Sequence, residues 1–157
     1  MSRGGKNMSE TYRPKKLFTV AEANAALPLV RAVVRDIVQL SESIGDRRVR
    51  LDHLKARHRR AGRADIPAYA EELAQAESEL ARDIEQLRHY VQELEQLGVE
   101  LKSAPEGLVD FPCKMDGRLV YLCWKYGEPE VMFWHELEAG FAGRQPIRSG
   151  VTVPPEG

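Results

Sequence analysis

Cysteine is nearly missing from this sequence, and the shortage excludes one architecture at the outset. Cys113 and Cys123 are the only two, too few for a disulfide framework, and they favour a reducing cytoplasm. Long apolar runs are missing as well. No stretch approaches the roughly 20 residues that a membrane helix needs, and the polar, basic stretch from Met1 to Lys16 holds no apolar signal core. The catalytic and metal motifs are equally thin. Position 139 is Ala139, so His135-Glu136 does not extend to a helical H-E-x-x-H zinc motif. His53 and His58 lie five apart, on different sides of a helix. No glycine-rich loop follows a strand and opens a helix. No motif here names a reaction, and the residues call for no catalysis, metal or cofactor.

What is present is an ordinary globular balance of 43% hydrophobic and 30% charged residues over 157 positions, enough for one domain with a modest core. Net charge is −1, but it is segregated. Residues 1–16 carry a net +4, residues 17–64 a net +5, residues 65–104 a net −7 and residues 105–157 a net −3. The basic run Arg47, Arg48, Arg50, Lys55, Arg57, Arg59, Arg60 and Arg63 reads in two ways. It lacks the interleaved aromatics that single-stranded nucleic acid uses. In an antiparallel hairpin it faces the acidic stretch instead, with Arg57 near Glu71 and Glu72 and Arg50 near Glu77. The second reading is preferred, so nucleic acid is not expected as a partner.

The periodicities predict a helix-dominated α+β fold. Thr19 and Glu22 have capping-box spacing, which starts a helix over 19–60. Leu27, Val30, Val34, Ile37, Ile44, Leu51 and Leu54 form one apolar stripe along it. Pro28 predicts a kink, or a short helix followed by a restart. Asp65 and Pro67 suit the start of a second helix over 65–97. There Leu73, Leu80, Leu87 and Leu94 repeat every seven residues with Ile84 and Val91 between them, a coiled-coil-like heptad seam. Gly98 and Val99 match a Schellman stop. The two helices form a long antiparallel hairpin. Residues 1–16 and 151–157 read as disordered tails, and residues 17–150 as one domain.

After Lys102 the period changes to two. Leu108–Phe111, Leu119–Trp124 and Val131–His135 predict a small three-stranded antiparallel β-meander over 99–150, with Asp116-Gly117 as a tight hairpin turn. Counting outward from the turns puts Val109, Phe111, Cys113, Val120, Leu122, Trp124, Val131, Phe133 and His135 on the face toward the helices. Asp110, Leu119, Tyr121, Cys123, Met132, Trp134 and Glu136 fall on the other. The cysteines are thus on opposite faces and expected as free thiols. The segment Gly140–Ile147 could aim backbone amides and Arg144 at an anion. The plainer alternative is a tight loop returning Phe141 and Ile147 to the core, with Arg144 solvated or paired to an acid.

A set of short segments carries a resemblance. These are Leu17-Phe18-Thr19 with Glu22-Ala23-Asn24, Leu27-Pro28-Leu29-Val30, Gly107-Leu108-Val109-Asp110-Phe111-Pro112, Leu122-Cys123-Trp124 with Gly127-Glu128, Phe133-Trp134-His135-Glu136, and Gly140-Phe141-Ala142-Gly143-Arg144. In this order the chain resembles the bacterial domain-of-unknown-function 2203 (DUF2203) family from Leu17 to Ile147. The resemblance implies a free-standing small cytoplasmic protein and assigns no residue a role.

Two functional classes follow. The first is a non-catalytic helical-hairpin interaction or scaffold protein that self-associates as a homodimer or takes a protein partner, because a hairpin this long exposes its stripe unless something covers it. The second is a small-molecule- or anion-binding module, or an enzyme, with a site between the meander and the Gly140–Ile147 loop built from Asp110, Trp124, Trp134, His135, Glu136 and Arg144. Within that set, Asp110 and Glu136 are expected on one face with Arg144 folded over it, either as a ligand site or as a structural clamp.

Overall fold

The computed structural model describes residues 12–61 and 66–148. Two helices, α1 (Val20–Ala61) and α2 (Ile66–Gln96), precede a five-stranded antiparallel sheet of β1 (Glu100–Ser103), β2 (Leu108–Met115), β3 (Arg118–Lys125), β4 (Phe133–Glu136) and β5 (Gln145–Pro146). Each strand neighbours the next in sequence. Among the described residues no helix is long and apolar enough to cross a membrane.

The helix ends follow local chemistry. The Thr19 amide donates to Glu22 and the Glu22 amide donates to the Thr19 hydroxyl, both at 3.0 Å, a reciprocal capping box. At the end of α2 the Gly98 amide donates to the Glu95 carbonyl and the Val99 amide to the Leu94 carbonyl. Gly98 has φ +89°, and Leu94 and Val99 are both fully buried. This is the Schellman pairing with its apolar contact. The helix runs through Pro28 without the restart that was one expectation. The expected cap at Asp65 lies outside the described residues, as do residues 1–11 and 151–157 of the expected tails. Residues 12–16 depart from a free tail: the Tyr12 hydroxyl bonds Glu100 and its ring meets Tyr121 edge-on.

The core lies where the sheet covers one end of the hairpin. Leu27, Val30, Val34 and Ile37 of α1 and Leu94 of α2 pack with Val109, Phe111, Val120, Leu122 and Trp124. Beyond Val38 on α1 and before Leu87 on α2, none of the described residues belongs to this core. There the hairpin is two helices thick. Ile44 and Leu54 are buried between them, and Leu51, Leu73, Leu80 and Ile84 stay half-buried. Interhelical ion pairs hold the distal half, with a shifted partner. Arg57 meets Glu72 as expected, but Arg47 rather than Arg50 bridges to α2, reaching Glu79 and Asp83.

The sheet departs from the expected meander in strand number and in one face. β1 and β5 add an edge strand on each side. The β1 sequence Glu-Leu-Lys-Ser has weak strand propensity, and β5 is only two residues long. The Asp116-Gly117 turn is as expected, with both residues at positive φ and Val109, Phe111 and Cys113 opposite Trp124, Leu122 and Val120. In β4 the faces are inverted: Tyr121 pairs with His135 and Cys123 with Phe133. Phe133 and His135 therefore point away from the helices, and Trp134 and Glu136 toward them. The cause is the irregular connection. Val131 turns into the helical core, held by its amide donating to the Asn24 side chain. The strand begins only at Phe133, so two-residue alternation does not carry back to Val131.

Candidate functional site

The inverted face of β4 reorganises the expected site. Asp110 on β2, Cys123 on β3 and His135 on β4 lie side by side on the sheet face away from the hairpin. Asp110 is directly opposite Cys123, and His135, two residues along β4 from the partner of Cys123, is its diagonal neighbour on the same face. Cys123 is fully buried, and Asp110 and His135 are each 2% exposed. A carboxylate oxygen, the Sγ atom and a ring nitrogen from the three lie within 4.8 Å of one another.

The hydrogen bonds define the histidine. Nδ1 lies 2.7 Å from the Glu136 carbonyl oxygen. A carbonyl only accepts, so Nδ1 carries a proton and donates. Nε2 lies 3.0 and 3.1 Å from the two carboxylate oxygens of Asp110. Both ring nitrogens therefore face acceptors, the arrangement of an imidazolium or of a ring that gives Nε2 to a cation. Burial, the largest influence, lowers the pKa of His135, but the bonds to Asp110 and to the Glu136 carbonyl together outweigh it and leave it raised. Burial pushes the Cys123 thiol up to about 12, helped by the charge of Asp110 and opposed by Arg144.

Arg144 approaches from the loop after β4. Its Nη2 donates to Glu128 at 2.5 Å. The guanidinium carbon sits 3.8 Å from the ring centre of Phe133 and 4.6 Å from that of Phe141. The side chain is 10% exposed, and its Nη1 is buried without a hydrogen-bond partner among the described residues. Next along the face, the Tyr121 hydroxyl donates to Glu100 at 2.7 Å, with the Tyr121 ring 5.4 Å from that of His135.

The residues expected to form one site are divided between the two faces. Asp110, His135 and Arg144 come together. Glu136 does not join them: it faces the other way and takes Arg118 in two contacts at 2.6 and 2.8 Å. Trp124 is fully buried against the helical hairpin, and Trp134 is packed at the edge of the same core. The expected Arg144–Glu136 pairing is replaced by Arg144–Glu128. Phe141 does not return to the core and is 42% exposed, whereas Ile147 does pack against it. Sequence reasoning passed over Cys123 as a small apolar filler and missed Glu128. Alternation along β2 and β3 already placed Cys123 beside Asp110, and only the parity of β4 hid its closeness to His135.

A family model described as "Uncharacterized conserved protein (DUF2203)" matches residues 16–147. No curated protein and no solved structure matches the chain.

Proposed function

The chain belongs to the DUF2203 family, and from its half-buried helical seam we propose that it is a non-catalytic interaction protein that self-associates through the distal hairpin. The observation that carries this reading is the two-layer thickness of that half. Leu73, Leu80 and Ile84 repeat on one face of α2 and remain half-buried, and Val49 on α1 is 54% exposed. A helix pair with an uncovered apolar stripe completes its core by adding helices, and two hairpins give a four-helix arrangement.

A second copy is the occupant that the charges favour. Arg48, Arg50, Arg59 and Arg60 are exposed on α1, and Glu71, Glu77 and Glu85 are exposed on α2. A two-fold packing that sets α1 of one copy against α2 of the other brings basic against acidic surface, and such an interface is self-complementary. A reducing cytoplasm suits a chain whose two cysteines are both buried.

Light scattering at micromolar concentration tests the reading. The expected mass is twice that of the chain, and Val49→Lys and Leu80→Lys are expected to return it to one chain. Val49 is exposed, so its variant keeps the monomer fold and isolates the interface. A wild-type protein of single-chain mass across the concentration range would sink the proposal, and so would a dimer indifferent to both substitutions.

A further inference from the structure

We infer that Asp110, Cys123 and His135 form a binding site for a zinc-class divalent cation on the outer face of the sheet, separate from the hairpin and independent of its self-association. Three donor types from three adjacent strands converge on one point: a carboxylate oxygen, a thiol sulfur and an imidazole nitrogen, all within 4.8 Å of one another. Zinc takes these ligands in tetrahedral geometry, with bonds of about 2.0–2.3 Å. Tetrahedral bonds of that length separate a nitrogen from an oxygen by about 3.3 Å. For that pair the observed 3.0 and 3.1 Å need only a few tenths of an ångström of relaxation, and the sulfur, within 4.8 Å, closes to about 3.6 Å from the other two donors. The thiolate favours zinc or cobalt over magnesium or calcium.

The surroundings have the form of an outer shell. A metal-bound histidine usually donates its other ring N–H to a carbonyl or carboxylate, which fixes its tautomer. His135 does so through Nδ1 to the Glu136 carbonyl, leaving Nε2 toward Asp110 and Cys123. Arg144 is the second independent observation. It is nine-tenths buried, its Nη1 has no hydrogen-bond partner among the described residues, and its charge and hydrogen-bonding reach both act on the Cys123 thiol. The deprotonated sulfur that coordination requires accepts from Arg144 more strongly than a neutral thiol does, and a charge-assisted bond to it offsets the loss of the thiol proton.

Charge is conserved when the ion binds. Without a cation, Asp110 faces a doubly protonated His135 and a neutral thiol. A divalent ion displaces two protons, one from Nε2 and one from the sulfur, and both leave to solvent. The net charge of the buried group is then unchanged. Three protein ligands leave the fourth tetrahedral position to water or a small ligand. The competing arrangement is an ordinary buried histidine–aspartate ion pair with the thiol as a third, weak donor.

Cobalt distinguishes the two. The full chain is stripped with chelator and titrated with Co2+, once as native protein and once during refolding from urea, which removes any access barrier to the buried site. The expected result is one Co2+ per chain, with a near-ultraviolet thiolate-to-cobalt charge-transfer band and visible bands of tetrahedral intensity. Zn2+ is expected to displace it. Cys123→Ser, nearly isosteric, should abolish the charge-transfer band and weaken binding at least tenfold, and Cys113→Ser should change neither. His135→Gln should also weaken binding at least tenfold. If that variant fails to fold, the wild-type spectrum and the two serine variants still decide. Wild-type protein that takes up no cobalt by either route, or a band that survives Cys123→Ser, would overturn the inference.

Discussion

Arg144 holds the loop after β4 through one nitrogen and two rings, so its removal is felt as lost anchorage. Glu128 accepts from Nη2, and Phe133 and Phe141 flank the guanidinium. A partly buried charge-assisted hydrogen bond is worth about 1–3 kcal/mol. Arg144→Ala is therefore expected to lower stability by about that amount in urea denaturation, and Glu128→Gln by less because it keeps an acceptor. An Arg144→Ala midpoint equal to wild type would show that the loop is held by something else. The same residue marks a limit of legibility. Pairing with an acid was one of the expected alternatives, but Glu128 was not the expected acid. Glu136 is nearer in sequence and has the right charge, yet it lies across the sheet on Arg118. Glu128, in the turn between β3 and β4, is the one within reach.

At the scale of elements, glycines report how closely the layers approach. Gly107 and Gly117 both sit at positive φ, +65° and +81°, and in each an added Cβ strains the backbone by about 1–2 kcal/mol. Their surroundings differ. A Cβ on Gly107 would lie 2.5 Å from Tyr126 Cβ and 2.9 Å from Val38 Cγ2, whereas one on Gly117 would meet nothing within 4 Å. Gly107→Ala is thus expected to destabilise clearly more than Gly117→Ala, because it also pushes the start of β2 off α1. Equal losses in thermal denaturation would mean that the sheet is not seated on α1 at this point. The start of α1, the end of α2 and the β2–β3 turn were legible in the sequence, because each depends on neighbours within about six residues: Thr19 with Glu22, Gly98 with Val99, Asp116 with Gly117. β1 and β5 were not. Their residues have little strand preference of their own, and they become strands because β2 and β4 offer them open edges.

Over the whole molecule, stability should be graded along the hairpin. The sheet adds a third layer over the proximal end, and Leu94 is fully buried there, while the distal end relies on one helix–helix interface and the Arg47 and Arg57 ion pairs. Exposed pairs of this kind contribute only about 0–1 kcal/mol each. Hydrogen exchange is expected to be faster for α2 amides over 66–84 than over 87–96, with the difference growing on dilution as any second copy leaves. Uniform protection along α2 at the lowest workable concentration would contradict both the gradient and the uncovered seam.

The succession of two long helices and the three central strands, the length of the hairpin and the opposition of its charges are properties of the sequence alone. They arise from periodicity and capping, which act over a few residues and repeat often enough to average out local exceptions. The Asp110–Cys123–His135 cluster was decided by the tertiary structure. Its residues stand 25 positions apart at the extremes, and their meeting depends on a single parity, whether β4 points odd or even residues outward. That parity is set where the Asn24 side chain on α1 captures the amide of Val131, a contact across 107 positions. Two-residue alternation carries no memory through an irregular turn, so only the packed helix could choose which face His135 would join.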